Sequence, residues 1–316
     1  MSTRLITIFG GSGFIGQHLV GRLAAEGHQI RLAVRDTEKA ATLVTQGNVG
    51  QIVGVQANIR NQASVERAVA GADVVINLVG LLYEAGAQSF NAVHEEGAAC
   101  VAAAAKAAGV SEFVHMSALG ADAASPSKYA RTKAEGEAAV LAAFEGATII
   151  RPSVVFGAGD NFSNKFAALG AISPAIPLLD GGKNQMQPVA IEDLADAIAK
   201  IVLNPEYQGK VWEFGGPDAL ALSSIIEIIG KVSKRSPIIL PLPAQMMTMM
   251  GFFMGLIPGR PMLTTDQVKL LASDNVVSGD HSGFADLGIQ PVPFSSTSLR
   301  HLTRFQKGGG YTQLHA

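Results

Sequence analysis

The sequence predicts an α/β protein built on a doubly wound parallel sheet. Short apolar segments alternate with helix-like segments through the first half of the 316-residue chain, and a glycine-rich turn joins the first segment to the first helix. Strands that are apolar on both faces are typical of parallel sheets covered by helices on both sides. With 48% hydrophobic and 16% charged residues, the chain also has the composition of a folded protein.

Six strands are predicted in the first half, because each segment is short, apolar and rich in β-branched or aromatic residues. They cover residues 5–9, 30–34, 52–55, 74–79, 112–116 and 147–156. Between them, three segments with apolar residues three and four positions apart are predicted as helices. These helices cover residues 14–25, 91–108 and 129–144.

The pattern changes after residue 156, where prolines recur and the segments shorten. Helices are predicted at 192–203, 223–234, 246–256 and 265–272, with Ser223 as the N-cap of the second, and a strand at 211–214. We predict a first domain over 1–157 and a smaller C-terminal α/β domain over 158–307, interleaved with the sheet edge on the substrate side. Residues 308–316 are predicted to be a flexible tail.

Charge and cysteine content exclude several classes of function. The 24 Lys and Arg against 26 Asp and Glu give a net charge of −2, which excludes a bulk electrostatic grip on nucleic acid. The single cysteine, Cys100, cannot form an internal disulfide. His94, His115, His281 and His301 lack metal-ligand spacing, so we predict no metal site and interpret them as isolated structural or surface residues.

The N-terminus runs directly into the first strand, without an apolar leader. The longest apolar stretch is shorter than the roughly 18 to 20 residues that a membrane-spanning helix needs. We therefore predict a cytoplasmic location, with peripheral attachment at the inner face of a membrane left open.

The glycine-rich turn predicts a dinucleotide site. Gly11, Gly13 and Gly16 match G-x-G-x-x-G, and Gly10, Gly13 and Gly16 match the looser G-x-x-G-x-x-G. Glycine allows a tight turn and a close approach of the backbone to a pyrophosphate, and the helix N-terminus then faces the phosphates. The predicted cofactor-binding residues of this turn are Gly10, Gly11, Ser12, Gly13, Phe14, Ile15 and Gly16.

The end of the second strand favours NADP(H) as the cofactor. NAD-binding proteins usually have an acid there that accepts the ribose 2′-hydroxyl, whereas this chain has Val34 followed by Arg35. An arginine suits a 2′-phosphate. Asp36, 20 residues beyond Gly16, is the rival that would favour NAD(H), and NAD(H) stays open as the alternative.

Tyr129 and Lys133 form a Tyr-x-x-x-Lys pair at the start of the predicted helix 129–144. A spacing of four places both side chains on one helical face. A nearby ammonium group stabilises the phenolate, so we expect Lys133 to lower the pKa of Tyr129 toward a range useful for general acid–base chemistry. The pair is predicted to be catalytic.

As a set, these motifs resemble an atypical or extended short-chain dehydrogenase/reductase with a Rossmann sheet. The resemblance also rests on Asn77-Leu78-Val79-Gly80 and Arg151-Pro152-Ser153. The second half resembles the NAD(P)H-binding accessory subunit family of respiratory complex I and its bacterial relatives. It does so through Val154-Val155-Phe156-Gly157, Asp160-Asn161-Phe162, Gln187-Pro188-Val189 and residues 270–277.

The resemblance implies further cofactor contacts. Gly10, Gly13 and Gly16 would line the pyrophosphate, and Arg35 would reach the 2′-phosphate. The remaining implied contacts are Val79 and Gly80 beside the cofactor, Tyr129 and Lys133 at the nicotinamide ribose, and Pro152 and Ser153 against the nicotinamide.

One position departs from the family. Active members carry a Ser or Thr at the end of strand five, where this chain has Ala118, while Ser117 comes one residue early and is expected to point to the other side. Alanine cannot donate a hydrogen bond, and losing such a donor typically costs about 10²–10³ in rate. The predicted function is therefore NADP(H) binding in an accessory, quinone- or respiratory-chain-associated role, with weak or no turnover. The alternative is an active NAD(P)-dependent oxidoreductase or epimerase that uses Tyr129 as general acid/base and Lys133 to tune it.

Residues 244–257 are unusually rich in methionine and phenylalanine. The sparse flanking Lys and Arg residues favour a lid helix packed inside the second domain. The alternative is an interfacial helix that contacts a hydrophobic protein partner or a membrane surface.

Overall fold

A computed structural model describes residues 3–256 and 261–309 of the chain. The strands are β1 Leu5–Phe9, β2 Gln29–Val34, β3 Ile52–Gln56, β4 Val74–Asn77, β5 Glu112–Met116, β6 Thr148–Pro152, β7 Val155–Phe156, β8 Ala175–Leu179, β9 Gln185–Met186, β10 Val189–Ala190, β11 Val211–Phe214, β12 Leu220–Ala221 and β13 Ile238–Leu242. The α-helices are α1 Phe14–Ala25, α2 Thr37–Ala41, α3 Gln62–Val69, α4 Glu96–Ala107, α5 Lys128–Ala143, α6 Ser163–Ile172, α7 Ile191–Leu203, α8 Leu222–Ser233, α9 Ala244–Gly255 and α10 Thr265–Leu270.

Seven strands form the main sheet, in the order β11-β6-β5-β4-β1-β2-β3. Parallel pairing joins the neighbours from β6 to β3, with Ile6 of β1 opposite Ile30 of β2 and Val74 of β4. The strand order reverses direction between β1 and β4, and the carboxyl ends at such a switch point form the usual ligand crevice of these sheets. The predicted doubly wound parallel sheet is confirmed.

Helices α3, α4 and α5 pack on one face of this sheet. Phe9 of β1, Val101 of α4 and Val140 of α5 belong to one buried cluster on this side. Ile6 and Ile8 are fully buried, and because strand side chains alternate they face the other side. Both faces are therefore covered, which explains why the strands read as continuous apolar segments.

Helices α1 and α7 are joined by ion pairs, because the guanidinium of Arg22 contacts the carboxylates of Glu192 and Asp196. Arg151, at the end of β6, connects further parts of the chain. Its guanidinium lies 2.6 Å from Glu137 of α5 and 3.5 Å from Glu213 of β11. It also lies 3.3 Å from the imidazole of His281. These contacts hold α5, β11 and the segment around His281 to the end of β6.

The chain divides into two compact units that alternate along the sequence. The first contains the residues up to 151 together with Glu192–Glu213 and Gly279–Ile289, and the second contains the rest. The chain thus returns to the main sheet, where β11 forms an edge strand. The limits 1–157, 158–307 and 308–316 remain predictions, and residues 310–316 lie outside the described part.

The second unit has its own core. Strands β8 and β13 pair in parallel, with Ala175 opposite Ile238. Ile176 of β8, Ile225 of α8 and Leu302 are among the buried residues of this core. The second unit is therefore an α/β unit in its own right.

Several predicted boundaries differ from the structure. The predicted strand 147–156 is two strands, because the chain bends at Val154 after Ser153 N–H makes a last hydrogen bond to Phe214 O of β11. The predicted strand 74–79 ends at Asn77, whose side chain accepts a hydrogen bond from Val79 N. The predicted helix 91–108 begins with a π-helical turn, Asn91–Glu95. Ala221, and not Ser223, is the N-cap of α8.

Helix α9 is packed on one side only. Met247 and Gly251 are buried, and Met247 joins a small cluster with Val268 of α10. The opposite face exposes Met249 by 57% and Phe253 by 58%, and also Met246, Phe252 and Leu256. The prediction of a lid helix packed inside the domain is therefore wrong for this face. Ile257, the last residue of the predicted segment 244–257, lies outside the described residues.

Within residues 3–256 and 261–309, no helix has the length and apolarity to cross a bilayer.

Candidate dinucleotide-binding site

A groove of about 320 Å³ lies at the carboxyl ends of the central strands of the main sheet. This is the switch point at which open parallel sheets bind their ligands. The predicted cofactor residues that line it are Gly10, Ser12, Gly13, Arg35, Val79 and Gly80.

Gly10 permits the close crossing of two loops at the floor of the groove. Its φ of +78° is in the left-handed region, which favours glycine. A Cβ atom on Gly10 would lie 3.3 Å from backbone atoms of both Leu78 and Val79. A side chain at this position would therefore crowd the turn after β4 and strain the backbone.

Gly16 and Gly11 serve packing. A Cβ on Gly16 would lie 2.4 Å from the carbonyl oxygen of Gly11, and one on Gly11 would lie 2.6 Å from a methyl group of Leu32. These glycines let α1 begin directly against the turn. Helix α1 starts at Phe14 with Gly13 as its N-cap. The first N–H groups of a helix have no intrahelical acceptor, so the start of α1, including Ile15, forms an anion-binding end.

The groove carries three cationic side chains, Arg35, Lys39 and Arg60. Among the described residues that line it, none is acidic. Arg35 donates to Gln88 Oε1 at 2.7 Å, and Arg60 donates to the carbonyl of Ala87 at 2.8 Å. This end of the groove is therefore electropositive.

Asp36, the rival position for an NAD-type ribose contact, has another role. It is the N-cap of α2, and its carboxylate accepts a hydrogen bond from Glu38 N at 3.1 Å. It also lies 3.7 Å from the ammonium of Lys39. Capping residues satisfy the free N–H groups of a first turn, which explains the position of this carboxylate.

Tyr129 and Lys133 lie in the first turns of α5, which begins after the Ser127 cap. The Lys133 ammonium donates to Met116 O at 3.0 Å, and its side chain is buried. Burial lowers the pKa of Lys133 to about 8, opposed by the charge of Glu137. Burial raises the pKa of Tyr129 to about 12. The pKa of Tyr129 is thus raised where the sequence predicted a lowering, and burial is the cause.

Gly80 connects the groove to this pair. A Cβ on Gly80 would lie 3.4 Å from Lys133 Nζ and 3.8 Å from His94 Nε2. The groove wall and the Lys133 ammonium are thus in near contact, and a side chain at position 80 would separate them.

The end of β5 is apolar where active family members carry a hydroxyl group. Ala118 is partly exposed. Ser117 is buried, and its hydroxyl has no hydrogen-bond partner among the described atoms. The hydroxyl at position 117 is therefore turned into the protein, as expected from the alternation of side chains.

Pro152 and Ser153 belong to the second unit. The Ser153 hydroxyl donates to Asn275 Oδ1 at 2.7 Å. Their contact with the nicotinamide, and the cofactor and catalytic roles of the other residues, remain predictions.

Four polar groove residues were not predicted from the sequence: Lys39, Asn58, Arg60 and Gln88. Asn58 and Arg60 follow the carboxyl end of β3, which pairs with β2, and polar residues at this edge of a parallel sheet could have been predicted as ligand contacts. Lys39 lies in α2, four residues beyond Arg35. Gln88 is in an irregular loop, and no sequence pattern indicated it.

Comparison with known proteins agrees with this geometry. The chain matches the model of the NAD dependent epimerase/dehydratase family over residues 6–215. It is 36% identical over 300 residues to the mitochondrial NADH dehydrogenase (ubiquinone) 1 alpha subcomplex subunit 9 of Rattus norvegicus, covering 94% of this chain and 79% of that protein. It is 35% identical over 198 residues to the ceramide reductase of Caulobacter vibrioides, covering 63% of this chain and 60% of that protein.

Two solved structures share the fold. The NADPH-dependent quinone oxidoreductase of Escherichia coli, complexed with NADPH, has a TM-score of 0.74 at 22% identity, covering 93% of this chain and 98% of that one. The triphenylmethane reductase of Citrobacter sp., complexed with NADP(H), has a TM-score of 0.75 at 19% identity, covering 93% and 99%. The family match spans the main sheet from β1 to β11, and the chain belongs to the NAD dependent epimerase/dehydratase family of extended short-chain dehydrogenases/reductases.

Proposed function

We propose that this protein binds NADP(H) in the groove and serves an accessory, respiratory-chain-associated role with weak or no turnover. The observation that carries the cofactor choice is the charge of the groove. Arg35, Lys39 and Arg60 line it without an acidic residue among the described lining. A phosphate monoester carries up to two negative charges, so this end suits a 2′-phosphate better than a ribose hydroxyl.

The remaining groove also fits a dinucleotide. Gly10 leaves the floor open where a Cβ would touch Val79, and the start of α1 offers free N–H groups for a pyrophosphate. Two of the solved structures that share the fold are complexed with NADPH and with NADP(H). These features support one ligand that spans from Arg35 to Gly80.

Weak turnover follows from two side chains. Ala118 offers no hydrogen bond to a substrate carbonyl, and Tyr129, with a pKa of about 12, stays protonated at neutral pH. When bound, the dinucleotide supplies hydride chemistry at its nicotinamide. The raised pKa makes the Tyr129 phenol a weaker proton donor and leaves almost no phenolate to act as a base at neutral pH. A ligand that binds only the folded state stabilises it by mass action, so a dinucleotide that is rarely turned over still has a structural role.

Replacing Arg35 tests the cofactor choice. We expect Arg35→Ala to weaken NADPH binding about 10- to 100-fold, because one charge-assisted hydrogen bond contributes about 1.5–3 kcal/mol. NADH binding should change less than about threefold, since NADH has no 2′-phosphate. The measurement is a titration of both nucleotides by calorimetry.

Arg67→Ala is the matched control, because Arg67 is an exposed arginine on α3 outside the groove lining. It should leave both affinities unchanged. Tighter binding of NADH than of NADPH by the wild type, with no effect of Arg35→Ala on either, would overturn the assignment.

Oxidation of bound NADPH tests the weak turnover. We expect little loss of NADPH fluorescence when quinones, aldehydes and nucleotide sugars are added in turn. The rate of NADPH oxidation should be at least about 100-fold below that of an active family member, because Ala118 replaces the Ser/Thr hydroxyl. Rapid oxidation by one of these substrates, abolished in Tyr129→Phe, would instead support the alternative of an active oxidoreductase or epimerase.

We also propose that the exposed face of α9 attaches the protein to an anionic membrane surface. This apolar face is formed by Met246, Met249, Phe252, Phe253 and Leu256, and adjoining exposed apolar side chains of this kind are typical of contact with a partner or a membrane. The second unit carries 10 Lys and Arg against 6 Asp and Glu, whereas the first carries 14 against 20. The net positive charge of the second unit favours an anionic lipid surface over a neutral one. The similarity to a complex I subunit supports a location at a respiratory membrane.

A further inference from the structure

His94 joins two parts of the candidate site. It lies in the π-helical turn before α4, and its imidazole is 1% exposed. Its Nε2 accepts a hydrogen bond from Leu81 N at 2.9 Å, and its Nδ1 lies 3.1 Å from the hydroxyl of Thr132. Leu81 follows the groove residue Gly80, and Thr132 precedes Lys133 on α5. One ring therefore bridges the groove wall and the helix of the Tyr/Lys pair.

The donors and acceptors around His94 determine the direction of each hydrogen bond that links Leu81, His94, Thr132 and Tyr129. Because Nε2 accepts from Leu81, the proton of the neutral ring is on Nδ1, which donates to Thr132. The Thr132 hydroxyl in turn donates to the carbonyl of Tyr129 at 3.1 Å. The bonds thus run in one direction from the loop to the first turn of α5. Burial and the charge of Lys133 lower the pKa of His94 to about 2, so the ring is neutral at every ordinary pH and its hydrogen-bond partners determine the tautomer.

Packing also holds the ring in place. It stacks on Phe90 with a centroid distance of 5.2 Å and meets the ring of Tyr129 edge-on at 5.3 Å. A Cβ on Gly136 of α5 would lie 2.0 Å from the His94 carbonyl oxygen, so only glycine allows this approach of the two backbones. π-Helical turns are frequent at functional sites.

We propose that His94 is a positioning residue that holds the loop 79–81 in register with Tyr129 and Lys133, and so orders the nicotinamide half of a bound dinucleotide. This inference rests on the proposed function. His94 has no part in binding the adenosine half. The cations at that end, Arg35 and Arg60, form hydrogen bonds with Gln88 and Ala87 and not with His94.

The test compares a whole cofactor with half of one. NADPH spans the groove, whereas adenosine 2′,5′-bisphosphate carries the 2′-phosphate and lacks the nicotinamide half. His94→Leu keeps apolar bulk and removes both hydrogen bonds. We expect it to weaken NADPH binding about tenfold and to change bisphosphate binding less than about twofold, since each lost hydrogen bond contributes modestly.

A conservative variant separates positioning from packing. His94→Gln carries an acceptor and a donor on one amide, and we expect it to recover most of the NADPH affinity. Thr132→Val keeps the imidazole and removes the hydroxyl that accepts from His94 and donates to Tyr129 O, and it serves as the second variant if His94→Leu does not fold. It should reproduce the selective loss of NADPH affinity.

Two outcomes would overturn the inference: equal weakening of both probes, which a merely structural role produces, or unchanged NADPH affinity in folded His94→Leu and Thr132→Val. If the wild-type protein binds neither probe, the proposed function fails instead.

Discussion

Vesicles of anionic phospholipid are expected to sediment with the wild-type protein and to leave the double variant Phe252→Ser/Phe253→Ser in solution. The two phenylalanines are 57% and 58% exposed on α9. Burying a whole Phe side chain contributes about 1.5–3 kcal/mol, so covering the exposed parts of two contributes about 3 kcal/mol. That corresponds to about a 100-fold change in the partition coefficient.

A matched control removes exposed apolar area from the first unit. Val49 and Val53 are 105% and 52% exposed, so Val49→Ser/Val53→Ser should sediment like the wild type. Neutral phosphatidylcholine vesicles should bind the wild type more weakly, since they lack the negative charge that complements the second unit. Equal sedimentation of all three proteins would contradict the proposal. Loss of self-association or of a protein contact in the phenylalanine variant, without lipid binding, would point to a protein partner.

Acidification should destabilise the protein through two buried histidines. Burial and then the Lys133 charge lower the pKa of His94 to about 2 and of His115 to about 3, against 6.5 for an unperturbed histidine. Below pH 6.5 the unfolded chain takes up protons that the folded chain does not, so stability falls as the pH falls. Together these residues remove about 4 kcal/mol between pH 8 and pH 5.

Chemical denaturation at the two pH values measures this loss. His115→Gln, which has no titratable group, should lose about 2 kcal/mol less than the wild type over the same interval. Val114→Ala changes a buried neighbour on β5 and should lower stability equally at both pH values. An unchanged pH dependence in His115→Gln would show that this imidazole is protonated in the folded state as readily as in the unfolded one.

Features that depend on residues close together in the sequence could be predicted from the sequence alone. The turn from Gly10 to Gly16 was predictable because one short segment carries the strand end, the glycines and the helix start. The parallel sheet was predictable because strands buried on both faces have no polar side. The same holds for the position of Ala118, which follows from its distance along β5.

Other features depend on contacts between distant residues. The pKa of Tyr129 is set by burial, which the spacing to Lys133 does not reveal. The role of His94 depends on Leu81 and Thr132, which are 13 and 38 residues away. The exposure of one face of α9 could not be predicted from the sequence either. A helix that is apolar on all sides has no pattern that distinguishes a packed face from an exposed one.

The alternation of the two units along the chain has a consequence for biosynthesis. Strand β6 receives its outer neighbour, β11, only after about 60 further residues, which a ribosome adds in about 3 to 12 seconds. Until then β6 is an open edge, and Arg151 has Glu137 but not Glu213 as a partner. An open strand edge templates pairing with other chains. During this interval the edge of β6 is therefore open to pairing with other chains while the protein is still being translated.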